Sequence, residues 1–181
     1  TVDATVIVNA LPVIDAGTDT VQCGNDPIQL QATGAVQYLW EPSGSLQNAN
    51  TATPLADPDT STMYRVIARD ANGCLGADSV FVRAFNVDAG PDIFVCIGDT
   101  TRLAALPGPV AFAWQPHASL FDQTNVANPQ VFTLTSRDYT LVGTDTSGCT
   151  DTDVARVIVN PLPTITVTNP DVYVCSGAPT I

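Results

Sequence analysis

The sequence predicts an all-β chain of tandem sandwich domains arranged end to end. Three observations lead there. Runs of strand length recur every 8 to 12 residues with turn residues between them. The whole pattern repeats with a period of 73 to 75 residues. Helix formers are scarce, while Thr, Val, Asp, Pro and Gly abound. Hydrophobic residues make up 45% of the 181 residues and charged ones 13%, so the chain can bury cores and is not of disordered composition. No apolar run approaches the ~18 residues of a membrane span.

The repeat is explicit in the letters. DAGTDTVQCGNDPIQLQATG, from Asp15, aligns with DAGPDIFVCIGDTTRLAALPG, from Asp88, at an offset of 73. YLWEPSGSL aligns with FAWQPHASL at 74, and MYRVIARDANGCLGADSVFV with DYTLVGTDTSGCTDTDVARV at 75. Both ends restate parts of the same unit: TVDATVIVNALP matches TDVARVIVNPLP, and TVTNPDVYVCSG matches VDAGPDIFVCIG. The expected organisation is the last strand of a preceding repeat (1–12), two whole repeats (13–85 and 86–163) and the start of a following one (164–181). The chain therefore reads as a piece of a longer array.

Within the second repeat the strands are expected at 93–96, 101–105, 111–114, 130–134, 139–143 and 154–159. Gly98-Asp99 and Pro107-Gly108-Pro109 supply turns, and 116–129 is a long irregular stretch. Asp145-Thr146-Ser147-Gly148 is a hairpin turn, with Asp70-Ala71-Asn72-Gly73 as its counterpart. Six or seven strands in about 75 residues, with one tryptophan on the third, read as a small immunoglobulin-like sandwich. Trp40 and Trp114 belong in the cores. Tyr64 and Tyr139 open the sixth strand, where a corner tyrosine bonds nearby backbone. The connectors at 8–12 and 159–163 (VNALP and VNPLP) carry proline and are expected to be stiff.

The order VNPLP, DAGPD, VCxG, LxA, WxP, a Tyr-led strand and DxNGC resembles the PKD-like and immunoglobulin-like tandem repeats of large Bacteroidota surface proteins. The gliding-motility adhesins of the SprB type are the best-known group. The resemblance covers the whole chain. It implies a stalk or adhesin at the cell surface, exported by the type IX secretion route and anchored elsewhere in the polypeptide. It also links Asp-Ser/Thr-apolar-or-Thr segments to O-glycosylation, which singles out Thr20, Ser79 and Thr100.

Composition excludes several functions. Six basic against 18 acidic residues give a net charge of −12, so no basic face exists for nucleic acid or an anionic membrane. All six cations are Arg, and without lysine there is no P-loop, Schiff base or isopeptide cross-link. A single histidine, His117, excludes a multi-histidine metal site and reads as a solvated loop residue. No nucleophile-elbow pattern accompanies it, so no enzyme activity, catalytic residue or organic cofactor is expected. Asp15, Asp19, Asp88 and Asp92 bracket glycines near the joints and are candidate calcium ligands. No DxDxDG loop is present, and turn capping by Asp accounts for such residues without metal.

Five cysteines, at 23, 74, 96, 149 and 175, imply disulfides in an oxidising compartment. Cys23 and Cys96 fall near the first strand's end, at one pole of the unit. Cys74 and Cys149 follow the hairpin, at the other pole. Poles a strand length apart (~17–20 Å) cannot be bridged by a bond needing Cα atoms within ~7 Å. Topology therefore favours Cys23–Cys149 across the joint, leaving Cys74, Cys96 and Cys175 to partners in other repeats. Cys23–Cys74 with Cys96–Cys149 stays open if the first strand crosses over or the hairpin cysteine sits lower. Functionally, the favoured reading is a spacer in an extracellular adhesin or filament whose partners are neighbouring repeats. The alternative is a module binding glycan or surface protein through loops 42–53 and 116–129, where Phe121 is the one aromatic.

Overall fold

Alternation decides which side chains turn inward. Along 62–69, Tyr64, Val66 and Ala68 are buried while Met63, Arg65 and Arg69 face solvent, and Tyr139, Leu141 and Gly143 repeat the pattern in the second unit. The computed structural model describes residues 6, 8–121 and 123–166. Cys175 and the other residues at 1–5 and 167–181 lie outside that range.

The first unit runs β1 (Thr20–Cys23), β2 (Ile28–Gln29), β3 (Gln37–Glu41), β4 (Leu46–Gln47), β5 (Leu55–Ala56), β6 (Thr62–Arg69) and β7 (Leu75–Phe85). One sheet has the order β1-β7-β6-β3 and the other β2-β5-β4. The second unit runs β8 (Ile93–Cys96), β9 (Thr100–Arg102), β10 (Ala111–Gln115), β11 (Gln130–Phe132), β12 (Arg137–Thr144) and β13 (Thr150–Asn160). Its sheets are β8-β13-β12-β10 and β9-β11. A 3₁₀ turn, His117–Ser119, precedes Leu120, which bridges Val131 where β4 stands in the first unit. In both units the first strand lies parallel to the last: Thr20 opposite Val82, Ile93 opposite Val157. The chain is thus a tandem of all-β sandwiches, as the period and turns predict. Two ladders are shorter than expected. After Arg102 the chain continues with single backbone bonds, Leu103 N–H to Pro129 and Ala105 N–H to Ala127, instead of pairing. After Phe132, Thr133 Oγ1 donates to the Thr135 carbonyl and turns the chain away.

Each unit has its own core. Trp40 and Trp114 are fully buried. Their indole N–H groups donate to the carbonyls of Thr51 (3.1 Å) and Val126 (3.0 Å), so neither buried donor is orphaned. Tyr64 and Tyr139 are also fully buried, but the corner reading needs correction. Their hydroxyls pair with Ser45 Oγ (2.5 Å) and Ser119 Oγ (2.7 Å), not with nearby backbone. The serines lie on the chain entering the opposite sheet, so each bond ties one sheet to the other. Burial raises the Tyr64 hydroxyl above its ordinary pKa, against the Ser45 bond, which lowers it. Tyr139→Phe should cost about 1 kcal/mol, read as a lower urea midpoint with unchanged slope. An unchanged midpoint would show the bond to be energetically idle.

Candidate functional site

The two units meet where β7 runs out through Ala84-Phe85-Asn86-Val87. This connector has no proline. The proline-bearing connectors, 8–12 and 159–163, lie outside it, so stiffness at this joint must come from other contacts. The contacts are several. β1 ends at Cys23, whose Cα is 5.5 Å from that of Cys149, and the two sulfurs form a disulfide spanning 126 residues. Phe85 and Val87 are buried in the second unit's core, and Val21 and Cys23 pack against it. On the second unit's side, the Val87 N–H donates to Asp151 Oδ2 (2.8 Å) and the Ala89 N–H to Asp153 Oδ2 (2.9 Å), which fasten the incoming chain to that unit's own last strand. Gly24, at φ +59°, donates its N–H to the Phe85 carbonyl (2.8 Å). A Cβ there would collide with the Asp151 carboxylate, and the positive φ independently favours glycine.

The β12–β13 hairpin carries the electrostatic contact. Asp145 Oδ1 accepts the N–H groups of Ser147 (2.8 Å) and Cys149 (2.9 Å), which shapes the turn and orients the cysteine. Its Oδ2 takes the Arg83 guanidinium from the first unit. The Asp145 side chain is 5% exposed and that of Arg83 38%. The Arg83 bond, reinforced by the serine and backbone donors and opposed by desolvation, holds the Asp145 carboxyl far below its ordinary range. A depressed value means that this stabilisation is complete above the ordinary carboxylate range and is lost as pH falls through the folded value. Arg83→Gln should raise the Asp145 midpoint towards ~3.9. A carboxyl-carbon NMR titration checks this, and a midpoint unchanged by the substitution would remove Arg83 as the cause.

The other singled-out carboxylates also serve the backbone. Asp15 and Asp88 each accept the N–H two residues on, at Gly17 and Gly90, both at 2.8 Å. Asp19 accepts from Phe81 (2.8 Å) and Asp92 from Arg156 (3.0 Å), fastening the approach to the first strand onto the last. Asp78 accepts from Ala16 (2.8 Å), and that bond together with the Ser79 N–H holds its carboxyl below the ordinary value. Among the described residues, no three His, Cys, Asp or Glu stand together as a metal set. Thr20, Ser79 and Thr100 are exposed on β1, β7 and β9, and His117 is exposed in its 3₁₀ turn. Cys74 and Cys96 are free thiols, half-buried and exposed respectively.

An apolar hollow on the second unit has no local signature in the sequence. Ala118, Ser119, Leu120, Phe121 and Phe132 line a hollow of about 120 Å³ on the second unit. Phe121 is 53% exposed and Phe132 38%. Phe132 is on a strand, outside the 116–129 loop, and the alternation that buries Val131 turns it outward. The aligned residues of the first unit are Gln47 and Asp57, so the hollow is not a repeated feature.

No protein-family model matches the chain, and no curated protein matches it. Similar solved structures include the first two immunoglobulin domains of DIP-gamma, with TM-score 0.40 and 9% identity over 83% of this chain and 98% of that one. Titin A168169 gives 0.38 and 12%, over 83% and 100%. The insect immune protein hemolin gives 0.41 and 15%, over 82% of this chain and 47% of its own. At TM-scores below 0.5 these likenesses carry no weight for function, and the sandwich assignment rests on the chain's own sheets.

Proposed function

We propose that the chain is a non-catalytic spacer of an extracellular, surface-anchored stalk, of the kind that the Bacteroidota gliding-adhesin repeats exemplify. One observation carries the reading: a disulfide joins two successive units and not two strands of one unit. A bridge inside a unit would protect a fold; a bridge across a joint protects the alignment of folds. Such a bond persists in an oxidising, exported setting, for which the resemblance supplies the type IX route. The partners are then the neighbouring repeats, and Thr20, Ser79 and Thr100 are exposed enough to carry glycans. A spacer should give a radius of gyration well above the ~16 Å of a compact body of 181 residues.

A second reading is favoured by the Phe121–Phe132 hollow, since paired exposed aromatics suit the apolar face of a sugar ring. At about 120 Å³ it is smaller than the ~300 Å³ at which small-molecule sites begin. A glycan array probed with the chain and with Phe121→Ala decides between them. The spacer reading expects no signal that depends on Phe121; a Phe121-dependent hit would replace it with the binding module.

A further inference from the structure

We propose that the outer face of the first unit's larger sheet is a docking groove for an extended acidic segment of another protein, one that carries an apolar residue midway between two carboxylates. The inference goes beyond the spacer reading, which needs no lateral partner. Alternation turns Arg65, Ile67 and Arg69 of β6 outward. Register sets Leu39 of β3 beside Ile67 and Leu75 of β7 beside Arg69. Leu39, Ile67 and Leu75 line a hollow of about 310 Å³ together with Gln37 and Arg69. Leu39 is 50% exposed and Leu75 52%. The volume reaches the ~300 Å³ at which ligand sites begin, and the hollow at Phe121 does not.

Cations flank the hollow. Arg65 and Arg69 are both exposed and stand ~13 Å apart, four residues along one strand. Among the described residues the ion pairs are Arg83–Asp145 and Arg156–Asp138, so neither Arg65 nor Arg69 has a carboxylate partner. Glu41 is in register with Arg65 without pairing to it. Asp70, next in the chain, turns to its own hairpin, where Oδ1 accepts the N–H groups of Asn72 (2.9 Å) and Cys74 (2.8 Å). Arg69 donates one N–H to the Gly73 carbonyl (2.8 Å), which holds the guanidinium in place and leaves further donors for a carboxylate. On a chain of net charge −12, an apolar hollow between two unpaired cations attracts an acidic segment that the mean charge of the chain repels.

The fold does not require this face. The second unit builds the same ladder with Thr140 and Thr144 where Arg65 and Arg69 stand, and with Ala113 and Thr150 where Leu39 and Leu75 stand. Nor does an adjoining unit cover it. Ala113 and Thr150 stay exposed although the first unit is bonded to the second unit's hairpin, so a unit seated on the first unit's hairpin leaves Leu39 and Leu75 open too. Pro12 and Ile14 lie against Gly76, which alternation turns to the face opposite Leu75. A second copy is a poor occupant. Carboxylates four residues apart occur in this chain only as Asp15–Asp19 and Asp88–Asp92, with Gly17 and Gly90 midway and no apolar side chain to fill the hollow. A sugar ring finds no stacking platform, because the Tyr38 ring packs on the core side and its hydroxyl donates to the Ala35 carbonyl at 2.7 Å.

The test titrates the full chain into capped, fluorescein-labelled peptides of the form Gly-Thr-Glu-Thr-X-Thr-Glu-Thr-Gly, with Val, Ile, Leu or Phe at X. Fluorescence anisotropy is read at low salt up to ~1 mM protein. Saturable binding is expected, weakened about threefold by Arg65→Gln, about threefold by Arg69→Gln and about tenfold by both, since distant exposed charge pairs add. Serine at X should weaken it about tenfold. Arg65→Gln leaves the Gly73 contact alone, so it decides the matter even if Arg69→Gln loosens the hairpin. No saturation by any peptide, or saturation that both substitutions leave unchanged, overturns the inference. So does binding that serine at X leaves intact, since the hollow then takes no part. Arg65-dependent binding of polygalacturonate without binding of the peptides would assign the face to an acidic glycan. Self-association in sedimentation that Arg65→Gln abolishes would assign it to a second copy. Either result overturns the acidic peptide. None of these outcomes bears on the radius of gyration, so failure here and failure of the spacer reading are separable.

Discussion

Trp114→Ala is expected to unfold the second unit and leave the first one standing. The indole is fully buried and satisfies the Val126 carbonyl at 3.0 Å. Truncation removes its transfer energy, opens a cavity and strips that acceptor, for about 3–5 kcal/mol. A unit of about 75 residues holds only about 4–11 kcal/mol in total. The chain has two tryptophans, so the variant's fluorescence comes from Trp40 alone and should keep the emission of a buried indole. Amide NMR should show β8–β13 collapsed and β1–β7 dispersed. Loss of both sets together would mean that the two cores unfold as one body.

The second large effect concerns the joint. Cys23→Ser with Cys149→Ser should weaken the coupling of the units by about 2–4 kcal/mol, the usual range for a native bridge. Each unit keeps its own core, so the change should appear as decoupling: one calorimetric transition broadening or splitting into two, and a wider spread of dimensions in X-ray scattering. If Tm and radius of gyration both stay at the parent's values, then the Arg83–Asp145 pair and the packing of Phe85 and Val21 on the second core hold the joint unaided.

Much of this was legible because it is periodic. β8 is found at Ile93–Cys96, where alternation places it, and the NGC and SGC hairpins locate Cys74 and Cys149 at one pole because a turn can sit nowhere else. What stayed hidden was set by contacts distant in sequence. Arg83 reads as a strand residue, and only the meeting of β7 with the β12–β13 hairpin makes it the partner of Asp145. Gln22 is a polar residue that nothing local marks for the core. It is buried, donating to Asp57 Oδ1 at 2.7 Å, at the position that Val95 fills in the other unit. The serine partners of Tyr64 and Tyr139 come from 19 and 20 residues away, beyond any local pattern. The prolines of VNALP and VNPLP stand in the connectors on either side, while the joint between the two whole units carries none.

The parallel pairing of first and last strands has a mechanical consequence. With the Cys23–Cys149 bond reduced, tension on the ends of the second unit enters through β8 at Ile93 and leaves through β13 at Asn160, with Ile93 opposite Val157 and Cys96 opposite Asn160. Two parallel neighbours pulled in opposite directions slide along each other, so the hydrogen bonds between them are loaded together in shear. An antiparallel terminal pair would be peeled one bond at a time. β1 and β7 repeat the arrangement in the first unit, from Thr20 opposite Val82 to Cys23 opposite Phe85. With the Cys23–Cys149 bond intact, tension instead passes covalently from β1 through the two sulfurs into β13, so the bridge takes the load off both patches and they bear it only once it is reduced.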